Sequence, residues 1–288
     1  MHRRTFLKLG VALGAAVNLP RLNAPAIAST LPLPISHTYF ADVEALLATR
    51  LSNFDALLVP AHAAAELIWR RALQRLPGPP GRAHDPDGAF TIPYATTIAG
   101  LVYRGAPPQS LADLWRGEAL WPDSARLVIG AALLRRGYPL NDTHPGRLAQ
   151  IEKDLLALRP RLVRDPLAAV RAGRAPLALA LIPLSPAFGG GDREASPEAQ
   201  RSGEELGVRG SGAGVFFPPE GAALVEHDWV LPLNARQPQA ALDLICAGPR
   251  FTLDAPRFTF PLIPLTPLPH AALAQREAIW SRVRAVAR

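Results

Sequence analysis

Sulfur is almost absent from this sequence: its 288 residues include one cysteine, Cys246, and one methionine. No intrachain disulfide can form, so a packed core has to supply the stability. Cys246 itself lies in the apolar stretch Ala241-Leu-Asp-Leu-Ile-Cys-Ala247 and is expected as a buried, inert thiol. Long apolar runs are missing too. None approaches the roughly 20 residues that span a bilayer, which predicts a soluble mature chain.

Metal-binding spacing is likewise lacking, because the seven histidines are scattered, with no His-x-x-x-His pair and no partner cysteines. There is no Gly-x-Ser-x-Gly elbow and no phosphate-cradling loop ending in Gly-Lys. Gly210-Ser-Gly-Ala-Gly214 carries its serine in the wrong place for the first of these. These gaps argue against an enzyme and predict neither cofactor nor metal.

Charge of one sign is in modest excess, at +7. The first 28 residues hold Arg3, Arg4, Lys8 and Arg21 and no acid, so setting these four aside leaves +3. The remaining arginines are interspersed with acids and form no run of five like charges, which excludes a nucleic-acid partner and points to a solvated surface.

What is present begins with an address. Arg3-Arg4-Thr5-Phe6-Leu7-Lys8 resembles the twin-arginine export consensus; a weakly apolar stretch from Val11 to Leu19 follows, and Ala26-Ile27-Ala28 offers a cleavage site before Ser29. Residues 1–28 are thus expected to be a signal peptide, and the mature protein to fold before export to the periplasm.

From Ser29 onward, short apolar runs alternate with helical periodicity, the signature of an α/β fold. Helices are predicted from Thr38 through Leu51, over Ala61–Leu76, Ser110–Trp115, Ile129–Arg136, Pro145–Leu158, Asp165–Ala172, Gln237–Ala247 and His270–Val286. Strands are predicted over Phe54–Pro60, Phe90–Tyr94, Ile98–Tyr103, Ala175–Pro183, Gly214–Phe217 and Ala222–Leu233. Residues 189–214, rich in Gly and Ser with mixed charge, read as a mobile surface loop.

A set of collinear segments carries a family resemblance. Phe54-Asp-Ala-Leu-Leu-Val-Pro60, Asp85-Pro-Asp-Gly-Ala-Phe-Thr-Ile-Pro-Tyr94, Ser110-Leu-Ala-Asp-Leu-Trp115, Gly130-Ala-Ala-Leu-Leu-Arg-Arg-Gly-Tyr138, Asn141-Asp-Thr-His-Pro145, Glu220-Gly-Ala-Ala-Leu224 and Ala240-Ala-Leu-Asp-Leu-Ile245 occur in the order found in the periplasmic spermidine/putrescine-binding proteins, which the chain resembles from Phe54 to Cys246. The resemblance implies a two-lobed, type II periplasmic-binding-protein fold, with lobes joined by crossing hinge strands and a solute held in the cleft. It places residues 29–99 and 226–255 in lobe 1 and 100–225 in lobe 2, with 256–288 left unassigned.

At the positions where that family contacts its ligand, the chain departs from it. Ala61-His62-Ala63 replaces the family's Ser and Tyr, Thr96 replaces a Trp, Ser124-Ala-Arg-Leu127 lacks two acids, Pro183 replaces an aromatic, and Val225-Glu-His227 replaces Trp-x-Asp. Ammonium groups need carboxylates or aromatic faces to offset their desolvation. Their replacement by neutral histidines and one arginine suggests a neutral or anionic solute. The resemblance therefore implies His62, Thr96, Ser124, Arg126, His227 and Asp228 as ligand-binding candidates, with no catalytic or metal-ligating residue. It implies the solute-binding subunit of an ABC importer, expected as a monomer that delivers a small solute to an inner-membrane permease. A ligand-sensing or degenerate module without a transport role is the alternative.

Overall fold

The computed structural model describes residues 37–39, 46, 50–78, 81–116, 118–183, 212–247 and 260–287. The expected signal peptide, and residues 189–211 of the expected loop, lie outside the described residues. The chain divides into two compact units, one from residues up to Pro93 and from Asp228–Pro249, the other from Tyr94–His227 and Arg250–Arg288.

In the first unit, β1 (His37–Tyr39) runs parallel to β2 (Ala56–Pro60), with His37 opposite Ala56. The helix expected from Thr38 therefore starts with strand residues, although Leu46, inside the same stretch, is helical and fully buried. β2 is buried at all five positions, as its unbroken apolar run requires of an inner strand. Pro60 ends the strand in an extended conformation, and α1 (Ala61–Trp69) begins at the next residue, burying Ala61, His62, Ala63, Ala64 and Leu67.

The predicted continuation of α1 to Leu76 is not observed. Arg71 takes a positive φ of 54°, and the amide of Ala72 turns back to the carbonyl of Leu67. Beyond this stop the chain is extended: Leu73 bridges Pro232, Gln74 N donates to Leu231 O at 2.9 Å, and Leu233 N donates to Ala72 O at 2.8 Å. Leu73 and Leu76 are buried, but from an extended segment; their three-residue spacing imitated a helix.

Asp55, at the mouth of β2, accepts from the amides of Arg236 and Gln237 at 2.9 and 3.0 Å and so anchors the entry to α5, Pro238–Ala247. That helix turns Ala241 and Ile245 into a cluster with Ala56, Leu76, Ile92 and Leu231. Cys246 follows one helical step later, about 100° round the axis, and is exposed. The expectation of a buried thiol is thereby corrected: the local run is apolar, but only one stripe of the helix faces inward.

The second unit is built on β3 (Ile92–Arg104), a single strand where two had been expected. It pairs antiparallel with β6 (Leu177–Pro183), Gly100 opposite Ala180, and with β7 (Ala213–Phe216), Val102 opposite Val215. β4 (Leu120–Pro122) lies between β6 and the parallel β5 (Arg161–Val163), and β8 (Ala222–Val230) borders β3 and carries the parallel β9 (Leu262–Pro264). The chain enters this unit along β3, after Pro93, and leaves it along β8, after His227.

Five helical segments complete it. Leu111–Trp115 is a 3-10 turn whose start is capped reciprocally by Ser110 and Asp113. α2 (Ala125–Arg135) begins four residues before its predicted start, because Ser124 caps it; it is the central helix, with almost every residue buried. α3 (Pro145–Leu158) has the predicted bounds, and α4 (Pro166–Arg171) is capped by Asp165. α6 (His270–Val286) packs on α2 and α3 through Ala272, Leu273, Ile279, Trp280 and Val283.

Candidate functional site

Two successive residues of β8 are the functional candidates with the most unusual surroundings. His227 belongs to the second unit and is 4% exposed. Its Nε2 lies 3.0 Å from Thr97 Oγ1 on the neighbouring β3. Burial pushes the imidazole down to about 4, because an ion removed from water loses its solvation. At neutral pH His227 is thus an uncharged hydrogen-bonding group beside a hydroxyl. Thr96, half-buried, precedes Thr97 on the strand, and alternation directs its side chain to the opposite face.

Asp228 begins the other unit and is fully buried. A buried carboxylate requires compensation, and two cationic or hydrogen-bonding groups provide it. Arg82 Nη1 donates to Asp228 Oδ1, and His84 Nε2 sits 2.6 Å from Oδ2. Both partners come from the loop after Gly81, whose shape is held by a second acid. Asp85, 3% exposed, accepts from the amides of Ala89, Phe90 and Thr91 at 3.0, 2.9 and 2.8 Å and from the Thr91 hydroxyl at 2.9 Å. Burial alone pushes the Asp85 carboxyl up, but the hydrogen bonds outweigh it and hold the group below the ordinary range. The resulting chain of contacts runs from Asp85 to the loop, to Arg82 and His84, and on to Asp228. Sequence reasoning missed Arg82 and His84, which lie 146 and 144 residues from their partner with no spacing rule to join them.

The other candidates are dispersed. His62 is 5% exposed in α1, within the first unit. Ser124 and Arg126 share the first turn of α2 in the second. Ser124 Oγ accepts from Leu127 N at 3.4 Å, and Arg126, 2% exposed, donates through Nη2 to Asn141 Oδ1 at 3.0 Å and to Thr266 O at 2.6 Å. Asn141 in turn donates to Pro264 O at 2.8 Å, so Arg126 and Asn141 together brace the segment leading to α6. The structure brings His227 beside Thr97, one residue past the predicted Thr96, and joins Asp228 to two residues that had not been predicted.

No family model matches the sequence. Among curated proteins, the spermidine/putrescine-binding periplasmic protein of Escherichia coli K12 is 28% identical over 172 residues, covering 56% of this chain and 45% of the relative. That of Salmonella typhimurium LT2 is 27% identical over the same extent. The chain thus matches less than half the length of these relatives. Among solved structures, a spermidine/putrescine ABC transporter protein from Listeria monocytogenes superposes with a TM-score of 0.65 at 17% identity, over 85% of this chain and 89% of that one. The TpPotD lipoprotein of Treponema pallidum gives 0.56 at 15% identity, over 80% and 84%. A periplasmic thiamin-binding protein gives 0.55 at 18% identity, over 86% and 85%. The fold is that of the type II periplasmic binding proteins, and the resemblance to spermidine/putrescine-binding proteins drawn from the sequence is borne out.

Proposed function

From a chain related to spermidine/putrescine-binding periplasmic proteins, we infer a solute-binding subunit of an ABC-type importer whose own solute is neutral or anionic rather than a polyamine. The observation that carries this reading is the state of Asp228. Its carboxylate is already engaged by Arg82 and His84, while its neighbour His227 is held uncharged. A polyamine nitrogen leaving water needs an acid or an aromatic face to replace its hydration. His227 and Thr97 supply hydrogen bonds of either polarity but no counter-charge.

In this reading, His62 and His227 contact the solute, the latter with Thr97 in place of the expected Thr96, and Ser124 and Arg126 shape the start of α2. The solute is sequestered by hinge closure, and the closed form delivers it to a permease in the inner membrane. The protein acts as a monomer, carries out no catalysis, needs no cofactor and reaches the periplasm by the twin-arginine route. No helix among the described residues is long and apolar enough to cross a membrane.

A thermal-shift screen of small solutes tests the proposal. A cognate ligand at 100 times its dissociation constant should add about 2.7 kcal/mol of stability. Neutral or anionic solutes are expected among the hits; a clear shift with spermidine or putrescine would overturn the assignment of charge.

A further inference from the structure

We infer that the first unit carries a docking surface for anionic lipid, built around Trp69 and Leu233 and independent of the solute site. Among the described residues three large hydrophobic side chains stand well out in water: Trp69 at 66%, Leu233 at 56% and Val286 at 37% exposure. The first two belong to the same unit. Trp69 is the last residue of α1, and three residues later the carbonyl of Ala72 accepts from Leu233 N at 2.8 Å. Three residues of chain span at most about 11 Å, so Trp69 and Leu233 share one end of the unit. Gln74 Nε2 fastens the same two segments, donating to Pro232 O at 3.1 Å and to Leu233 O at 3.2 Å.

The charge on these segments has one sign. Residues 66–76 and 231–240 carry Arg70, Arg71, Arg75 and Arg236, all exposed, against a single acid, Glu66. Glu66 is engaged by Arg70 at 2.7 Å, which leaves three arginines in surplus. Single exposed apolar residues are ordinary on a protein surface. A tryptophan and a leucine among unbalanced arginines have instead the make-up of a membrane-interface surface, where an indole settles at headgroup level and basic side chains meet anionic lipid. A second copy of this chain fits poorly, because pairing the patch with its own image brings like charges together. A bilayer rich in phosphatidylglycerol supplies the complement: diffuse negative charge for arginines spread over two chain segments, and an interfacial layer for the two apolar side chains.

The probes are vesicles of equimolar phosphatidylglycerol and phosphatidylcholine, and vesicles of phosphatidylcholine alone, mixed with the full chain. Co-sedimentation is expected with the first and not the second, and is expected to fall away in 1 M salt, where the screening length drops to about 3 Å. Tryptophan emission should shift to the blue on binding. The first 28 residues contain no tryptophan, so this shift does not report on that basic stretch. Trp69→Ser should weaken vesicle binding at least about tenfold and remove the blue shift. Arg71→Gly should weaken binding about fivefold. Arg71 holds a left-handed φ of 54° that glycine adopts without strain, so this variant should melt no lower than the parent, which separates lost binding from lost folding. Arg161→Gln, a neutralised surface arginine of the second unit, should bind vesicles as the parent does. Equal binding to both kinds of vesicle, undiminished binding in Trp69→Ser, or an equal loss in Arg161→Gln would each overturn the lipid surface. So would binding of polyglutamate in place of vesicles, which would assign the patch to an acidic protein. None of these outcomes bears on the solute screen.

Discussion

His227 and Asp228 are neighbours in one strand, both nearly inaccessible to water, and they solve the burial of a polar group in opposite ways. Asp228 is matched by Arg82 and His84. His227 gives up its charge instead, beside the hydroxyl of Thr97. The difference follows from the two faces of the strand: on one, a loop organised by Asp85 brings Arg82 and His84 to Asp228, and on the other His227 lies beside the Thr97 hydroxyl of the neighbouring β3. An acid is therefore present at this end of β8 but committed, and the residue beside it is neutral. This contrast is the basis for expecting a solute without strong positive charge.

The contrast breaks most severely at Arg82. Arg82→Met leaves Asp228 buried with half its compensation, and removing one partner of a buried pair typically costs about 3–5 kcal/mol. Urea unfolding should show that loss, and Asp228→Leu in the same background should recover part of it. If Arg82→Met were neutral, the carboxylate would not depend on its partner and the engaged-acid argument would fail.

A somewhat smaller effect is expected on the histidine side. Above pH 6.5 His227 is neutral in folded and unfolded chains alike, so it contributes no pH dependence there. As pH falls from 6.5 towards about 4, the unfolded chain takes up a proton that the folded protein refuses, and stability declines by up to about 3 kcal/mol. His227→Gln should flatten that part of the stability curve, measured between pH 7.5 and 4.5. Parallel curves for the two proteins would show that the imidazole is not buried in this way.

The smallest effect sharpens the comparison by testing a candidate whose visible partner is its own helix. Ser124→Ala removes the cap from α2 and should cost about 1 kcal/mol in thermal unfolding. Its effect on solute affinity should be slight if capping is its main role.

Much of the local structure was legible. The unbroken apolar run ending at Pro60 identifies an inner strand, and the period of residues 145–158 identifies α3 at both ends. The errors have physical causes. Leu73 and Leu76 fit a helix, but their burial is dictated by pairing with residues around Pro232. The stretch before Phe54, where no first strand had been recognised, includes the three residues of β1, too few for an alternating pattern to declare itself.

Chain order and side-chain periodicity were enough to predict an α/β fold, because hydrogen-bonded elements impose repeats of 3.6 and 2 residues on whatever sequence forms them. Alternation along a strand likewise turns the adjacent His227 and Asp228 to opposite faces. How Asp228 would be compensated was decided only in three dimensions, since its partners lie more than 140 residues away in the chain and are brought to it by a loop whose shape depends on a second buried acid.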